Sequence, residues 1–298
     1  MKKQNNTYAV ILVGGKGKRL RPLSTNARPK AFLSVTADRK TMFRNAVDRV
    51  SRILPRSQIL VMANRAHRAL VTASLPGLSP HNLLLEPVSR NTGPAIALAA
   101  LSLWKRNPDA VMVVLPADQY IENVPGYLSS LKKGIAFAQR GNDLVLMAVK
   151  PTYPATGFGY LKLRSSSRHR AVAIGKVEKF LEKPEIRTAE RFLRDSSYFW
   201  NAGIFICRAG ALLQSIKVWA PDIGEIIRSA PNDLSRIRYR AFPDISIDYA
   251  VMEKADNLYA VRGNFGWRDI GSFEALKEVL EKEGRSFTSV RGRITAIA

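Results

Sequence analysis

The chain has 298 residues, 46% of them hydrophobic and 24% charged, with a formal net charge of +23. That is enough apolar material for a substantial core, and the mixed charge excludes an intrinsically disordered chain. No apolar stretch approaches the roughly 18–20 residues of a membrane-spanning helix, and the Lys and Arg residues are spread without a block or motif marking a nucleic-acid binder.

In chain order, Met1, Lys2 and Lys3 precede an apolar run at 8–13. That run is too short for a signal-peptide core and ends in glycines and lysines, so a cytoplasmic location is expected. Bounded by glycines, the run reads as a strand buried on both faces. Thr41 then caps a helix with apolar Met42, Phe43, Ala46, Val47, Val50, Ile53 and Leu54, which Pro55 stops. A strand follows at 58–63 and a short apolar piece at 83–85. The next helix spans 92–104, with Thr92 as a candidate cap and Pro94 near its first turn. A strongly apolar strand at 110–115 ends at Pro116, a weaker helix covers 129–140, and another strand covers 144–149. This alternation predicts an α/β fold: a Rossmann-like mixed, mostly parallel sheet flanked by helices.

After Pro151 the pattern changes. Short strands are expected at 157–160, 172–174 and 177–180, and helices at 187–194, 209–219 and 272–282. No repeat or linker interrupts the chain, so a single domain is expected over 1–298. The single cysteine, Cys207, lies in the apolar run 204–207 and reads as a buried small hydrophobe. His67, His81 and His169 lack metal-ligand spacing.

The first strand leads into Gly14-Gly15-Lys16-Gly17-Lys18-Arg19-Leu20-Arg21-Pro22-Leu23. Glycines let backbone amides approach an anion closely, and Lys16, Lys18 and Arg19 add charged donors. It is not a Walker A loop, because Arg19 rather than Ser or Thr follows Gly17-Lys18. Nor is it a dinucleotide fingerprint, because Leu20 holds the third glycine's place. Arg28-Pro29-Lys30 follows shortly downstream.

Together these resemble the sugar-nucleotide pyrophosphorylases, most closely the bacterial mannose-1-phosphate guanylyltransferases. Further segments match in order: Glu86 to Ala100, Leu115-Pro116-Ala117-Asp118, Thr156 to Tyr160, Glu182-Lys183-Pro184, Trp200 to Phe205, Ser246 to Lys254 and Gly266 to Ser272. The resemblance covers residues 9 to about 276 and implies a nucleotide-diphospho-sugar transferase fold, with a nucleotide-binding half (about 1–150) and a sugar-phosphate-binding half (about 151–298).

The implied reaction joins GTP and mannose 1-phosphate into GDP-mannose with release of pyrophosphate. The nucleophile is already an anion, so neutralisation, alignment and a divalent cation suffice. By resemblance Asp118 and Asp269 hold Mg2+, and Arg19, Lys30 and Lys183 meet phosphates. Gly14, Gly15, Gly17, Lys18, Glu86, Arg90, Asn91 and Thr92 face the nucleotide, while Gly157, Tyr160, Glu182, Asn201 and Asp248 face the sugar. Residue by residue a plainer reading stays open, since Asp118, Asp248 and the 86–92 segment could cap helices, Asp269 and Asn201 could shape turns, and Glu182 with Lys183 could be an ordinary strand-end pair. Another triphosphate or hexose, or a silent nucleotide-sugar binder, also fits. Lys18, Arg21, Ala31 and Gln119 depart from the family residues around the triphosphate. No nucleic-acid or membrane partner is expected. The chain ends soon after the last motif, where relatives continue, and a homodimer is left open.

Overall fold

The computed structural model describes residues 6–15, 17–164, 174–290 and 293–298. β1 (Thr7–Val13) turns Ala9, Ile11 and Val13 toward one core and Val10 toward the other. This two-sided burial explains the unbroken apolar run. The chain continues through α1 (Met42–Val50), β2 (Ile59–Asn64), α2 (Arg68–Ser74), β3 (Leu83–Glu86), α3 (Thr92–Arg106), β4 (Val111–Pro116) and β5 (Gln119–Ile121). Then come α4 (Val124–Ala138), β6 (Leu144–Val149), β7 (Gly159–Leu163), β8 (Ile174–Glu182), α5 (Ile186–Arg194), β9 (Tyr198–Arg208), α6 (Ala209–Trp219) and α7 (Pro221–Arg228). The last elements are β10 (Leu258–Gly263), β11 (Trp267–Asp269), α8 (Phe273–Lys282), β12 (Phe287–Val290) and β13 (Arg293–Ile297).

One nine-stranded sheet takes the order β3-β2-β1-β4-β9-β6-β10-β8-β7. β1–β4 are mutually parallel, and β6 and β10 run with each other. β9 is antiparallel to β4, β6 and β7, and β8 is antiparallel to β10 and β7. Only β8 and β9 therefore run against the common direction. Residues of α1, α2, α4 and α5 pack on one face and residues of α3, α6 and α7 on the other. Among the described residues no helix is long and apolar enough to cross a membrane. Cys207 is fully buried, and burial pushes its thiol pKa up.

Several boundaries differ from expectation. The helix expected at 129–140 begins five residues earlier, because the Asn123 side chain caps it by accepting from the Gly126 amide and Pro125 sits in its first turn. Thr92 is not the cap of α3. Asn91 is, with φ at 62° and its Oδ1 accepting from the Thr92 amide. The strands expected at 172–174 and 177–180 are one strand, β8, whose exposed Lys176, Glu178 and Lys179 broke the apolar run; residues 172 and 173 lie outside the described residues. α2 and α7 were invisible because each buries a single residue, Val71 and Ile223.

Phe43 is fully buried and meets the Phe32 ring edge-on at 5.9 Å between centroids. Phe43→Ala is expected to lower stability by about 3–5 kcal/mol. Urea unfolding measures this, and a loss below about 1 kcal/mol would show that the site collapses around the deletion.

Candidate active site

A third apolar cluster explains how residues 239 positions apart meet. Leu20, Leu23, Leu33, Val35 and Met42, which follow β1, pack against Tyr120 of β5, Ile270, and Leu276, Val279 and Leu280 of α8. β5 and β11 pair antiparallel, placing Asp269 opposite Gln119 and therefore beside Asp118 in the tight turn after β4. The Glu283 carboxylate reinforces the clamp, accepting from the Tyr120 hydroxyl at 2.7 Å and the Ala37 amide at 2.9 Å.

Lys30 sits at the centre. Its Nζ lies 3.0 Å from Asp118 Oδ2 and 2.9 Å from Asp269 Oδ1, with only 8% of the side chain exposed. Burial alone would lower the ammonium pKa, but the Asp118 and then the Asp269 charges outweigh it and hold it above its ordinary value. Arg19 comes close on the open side: its Nη1 and Asp269 Oδ2 lie 4.0 and 2.8 Å from the point a Cβ on Gly271 would occupy.

The glycine loop covers the Lys30 stem. Gly15 and Gly17 have φ of 90° and 55°, and a Cβ on Gly17 would stand 3.1 Å from Lys30 Cβ. The Ser24 hydroxyl donates to the Gly17 carbonyl at 2.6 Å and pins the turn. Gly14, Gly15, Lys18 and Arg19 are exposed. Lys16 lies outside the described residues.

A second polar cluster forms where β8 ends and β9 begins. The Asn201 amide donates to Asp248 Oδ1 at 3.1 Å, and Lys183 Nζ donates to Glu182 Oε1 at 2.5 Å. Lys183 adopts φ of 50° and lies 5.8 Å above the Tyr249 ring. The Glu253 carboxylate accepts from the Glu182 amide at 2.7 Å. Gln119 links the clusters, its Nε2 donating to the Ala202 carbonyl at 2.7 Å.

One expectation for this cluster needs correction. Tyr160 is fully buried against Phe192 on the core side, so it backs the wall instead of lining the pocket. Gly157 has open space around it, whereas Gly159 has Glu182 Oε2 only 2.6 Å from its Cβ position. Gly159, Tyr249 and Glu253 also belong to this cluster, and all three lie inside the matched segments.

Burial first, then the Glu182 carboxylate, push the Asp248 carboxyl up to about 7, against the pull of Lys183 and the Asn201 amide. An acid whose native pKa exceeds its unfolded value of 3.8 adds stability at low pH and loses it as pH rises through the native pKa. Stability should therefore fall from about pH 4 to about pH 7, and Asp248→Asn should remove that component. Urea unfolding near pH 5 and pH 8 tests this: a difference between wild type and variant that is unchanged with pH refutes it.

Glu86, Arg90, Asn91 and Thr92 lie at the carboxyl end of β3 and meet the segment 239–247. The Tyr239 hydroxyl donates to Glu86 Oε2 at 2.8 Å, Arg90 Nη2 to the Arg240 carbonyl at 2.8 Å, and the Ile247 amide to the Thr92 hydroxyl at 3.0 Å. Burial raises the Glu86 carboxyl pKa, while the Tyr239 and Ser89 hydroxyls oppose the rise. Among the described residues no hydrogen bond or ion pair joins this group to Lys30 or its two carboxylates. On the far side of Asp269, a cavity of about 840 Å³ opens between the ends of β6 and β10 and α8, walled by Tyr153, Phe158, Trp200 and Trp267. Phe158 meets two of these rings edge-on, Trp200 at 5.2 Å and Trp267 at 5.1 Å.

A mannose-1-phosphate guanylyltransferase of Escherichia coli is 37% identical over 288 residues, covering 92% of this chain and 61% of that protein. The xanthan biosynthesis protein XanB of Xanthomonas campestris pv. campestris (strain B100) is 36% identical over 292 residues, covering 94% of this chain and 61% of that protein. The chain thus spans 61% of the length of each. A crystal structure of a mannose-1-phosphate geranyltransferase from Thermus thermophilus superposes with a TM-score of 0.84 at 33% identity, covering 92% of this chain and 79% of that one. The family described as nucleotidyl transferase matches residues 8–286, so the chain belongs to the nucleotidyl transferase family.

Proposed function

We propose that the chain transfers the guanylyl group of GTP to mannose 1-phosphate, forming GDP-mannose and pyrophosphate. The observation that carries this reading is the order of groups along one sheet edge. Glu86 ends β3, the glycine loop follows β1, Asp118 follows β4, and Asn201 lies at the start of β9, across from the end of β6. Ligands of open α/β sheets bind along this edge. β3 and β1 stand two strand spacings apart, roughly 10 Å, which suits a base at one and phosphates at the other. The sugar phosphate then meets the α-phosphorus beside Asp118. The likeness to proteins named mannose-1-phosphate guanylyltransferase supports the choice of base and sugar.

In this reading the amides of Gly14, Gly15 and Gly17, with Lys18, Arg19 and Lys30, neutralise and align the triphosphate. Glu86, Arg90, Asn91 and Thr92 shape the base side, with residues 1–150 forming the nucleotide half. Lys183 holds the mannose 1-phosphate, whose phosphate oxygen attacks the α-phosphorus as the bond to the β-phosphate breaks. Glu182, Asn201 and Asp248 would bind sugar hydroxyls beside Gly157, within the half 151–298. Asp118 and Asp269 suit a divalent cation, since they already share one cationic centre. Among the described residues no group of three His, Cys, Asp or Glu could hold a metal, and Mg2+ takes one or two carboxylates with phosphate oxygens and water. Bound Mg2+ would stabilise charge on the reacting phosphates. The net charge of +23 favours capture of two anionic substrates. The setting we propose is cytoplasmic, with a homodimer as the candidate assembly.

Pyrophosphate release, measured across the four ribonucleoside triphosphates and dTTP with several hexose 1-phosphates, tests the assignment. GTP with mannose 1-phosphate should give the highest kcat/KM. Turnover with only UTP or dTTP overturns the guanylyl assignment, and binding without turnover for every pair overturns the enzyme.

A further inference from the structure

Lys30 occupies the place the two carboxylates would offer a metal. One buried ammonium contacts Asp118 and Asp269 at 3.0 and 2.9 Å, so the chain itself bridges both carboxylates and offsets one of their two charges. Mg2+ binds carboxylate oxygens at about 2.0–2.1 Å. A divalent ion drawn in to that distance from both carboxylates would lie against the ammonium, and two cations this close in a poorly solvated site repel strongly. The 3-10 turn Lys30–Phe32 is fixed by the Phe32 amide on the Pro29 carbonyl and the Leu33 amide on the Lys30 carbonyl, so the backbone stays in place. Departure of Nζ would therefore need only rotation of the side chain, whose Cβ lies beneath Gly17. A triphosphate on the glycine loop supplies the negative charge that would draw Nζ out of the carboxylate pair.

We propose that Lys30 is an internal counter-cation that keeps the Asp118–Asp269 pair closed to metal until a nucleoside triphosphate displaces it. This inference rests on the two carboxylates being the metal site of the proposed reaction. The divalent ion then enters with the nucleotide and not before it. The arrangement also keeps two facing carboxylates from repelling each other in the empty protein.

Mn2+ binding to the nucleotide-free protein, followed by electron paramagnetic resonance, tests this. The wild type should bind Mn2+ weakly. Lys30→Met, which keeps the stem volume without the charge, should bind one Mn2+ at least tenfold tighter, and adding Asp118→Asn should abolish the gain. Lys30→Gln guards against misfolding: it retains donors to the carboxylates and should shift affinity in the same direction, by less. Equal Mn2+ affinity in wild type and folded Lys30 variants overturns the inference. Mn2+ binding with a non-hydrolysable GTP analogue separates the two levels. If Asp118→Asn and Asp269→Asn weaken it while the Lys30 variants change nothing without nucleotide, the counter-cation role alone fails. If neither carboxylate variant affects it, the metal-site reading fails as well.

Discussion

Asp118→Asn and Asp269→Asn are each expected to reduce kcat/KM for GTP and mannose 1-phosphate by roughly 10³-fold or more, equivalent to about 4 kcal/mol of transition-state stabilisation. Asparagine keeps the side-chain volume and can still accept from Lys30, so the loss should fall on chemistry more than on folding. Each variant leaves Lys30 one carboxylate partner out of two. A modest fall in Tm is therefore expected, since the ammonium stays paired. Turnover measured against Mg2+ concentration should show a higher metal requirement in each variant than in the wild type if the lost carboxylate is a ligand. Wild-type rates in both variants would remove the two aspartates from the reaction altogether.

Much of the site is visible in the residues because its parts sit directly after buried strands. β1 and β4 are apolar on both faces, so Gly14 and Asp118 stand out as the first groups beyond the sheet edge. What brings Asp269 to them is less visible. It depends on β5 and β11, two strands of three residues, and on a cluster whose members lie between Leu20 and Leu280. Neither leaves a periodic signal in a short window. The pairing of Lys30 with both carboxylates is likewise a property of the fold. Tyr160 shows the opposite failure. Its segment matches the family, but strand alternation turns its ring into the core and leaves Gly159 beside Glu182.

The departures from the family residues have structural answers of differing kind. Gln119 is buried and joins the Asp118 turn to Ala202 on β9, so the position carries a structural link between the Lys30 cluster and the Asn201 cluster. Ala31 is fully buried in the main core, where a longer side chain would have to displace its neighbours. The Arg21 guanidinium donates to Asn26 Oδ1 at 3.1 Å, holding the loop to its own surface. Lys18 is exposed beside the glycine loop, where an added cation would raise the local attraction for an anionic ligand.

The three loop glycines should separate strain from ligand contact when each is replaced by alanine. At Gly17 the backbone φ of 55° disfavours any side chain, by about 1–2 kcal/mol, and the new Cβ would stand 2.9 Å from Ser24 Oγ and 3.1 Å from Lys30 Cβ. Ser24 is fully buried and the Lys30 Cβ is held by its 3-10 turn, so the loop backbone itself must give. Gly17→Ala should therefore lower stability by about 2–3 kcal/mol in all. It should also cut kcat about 100-fold, since displacements near 1 Å cost that much. Gly15→Ala meets no neighbour within 4 Å and carries only the strain of its φ of 90°, so its effect on folding should be the smaller. Gly14 has neither a positive φ nor a neighbour within 4 Å. Gly14→Ala should leave urea unfolding unchanged yet raise the KM for GTP about tenfold or more, because a methyl group there would meet only a bound phosphate. Unaltered kinetics in Gly14→Ala, beside a normal fold, would move the triphosphate away from the loop and leave Lys30 and its carboxylates without a substrate to act on.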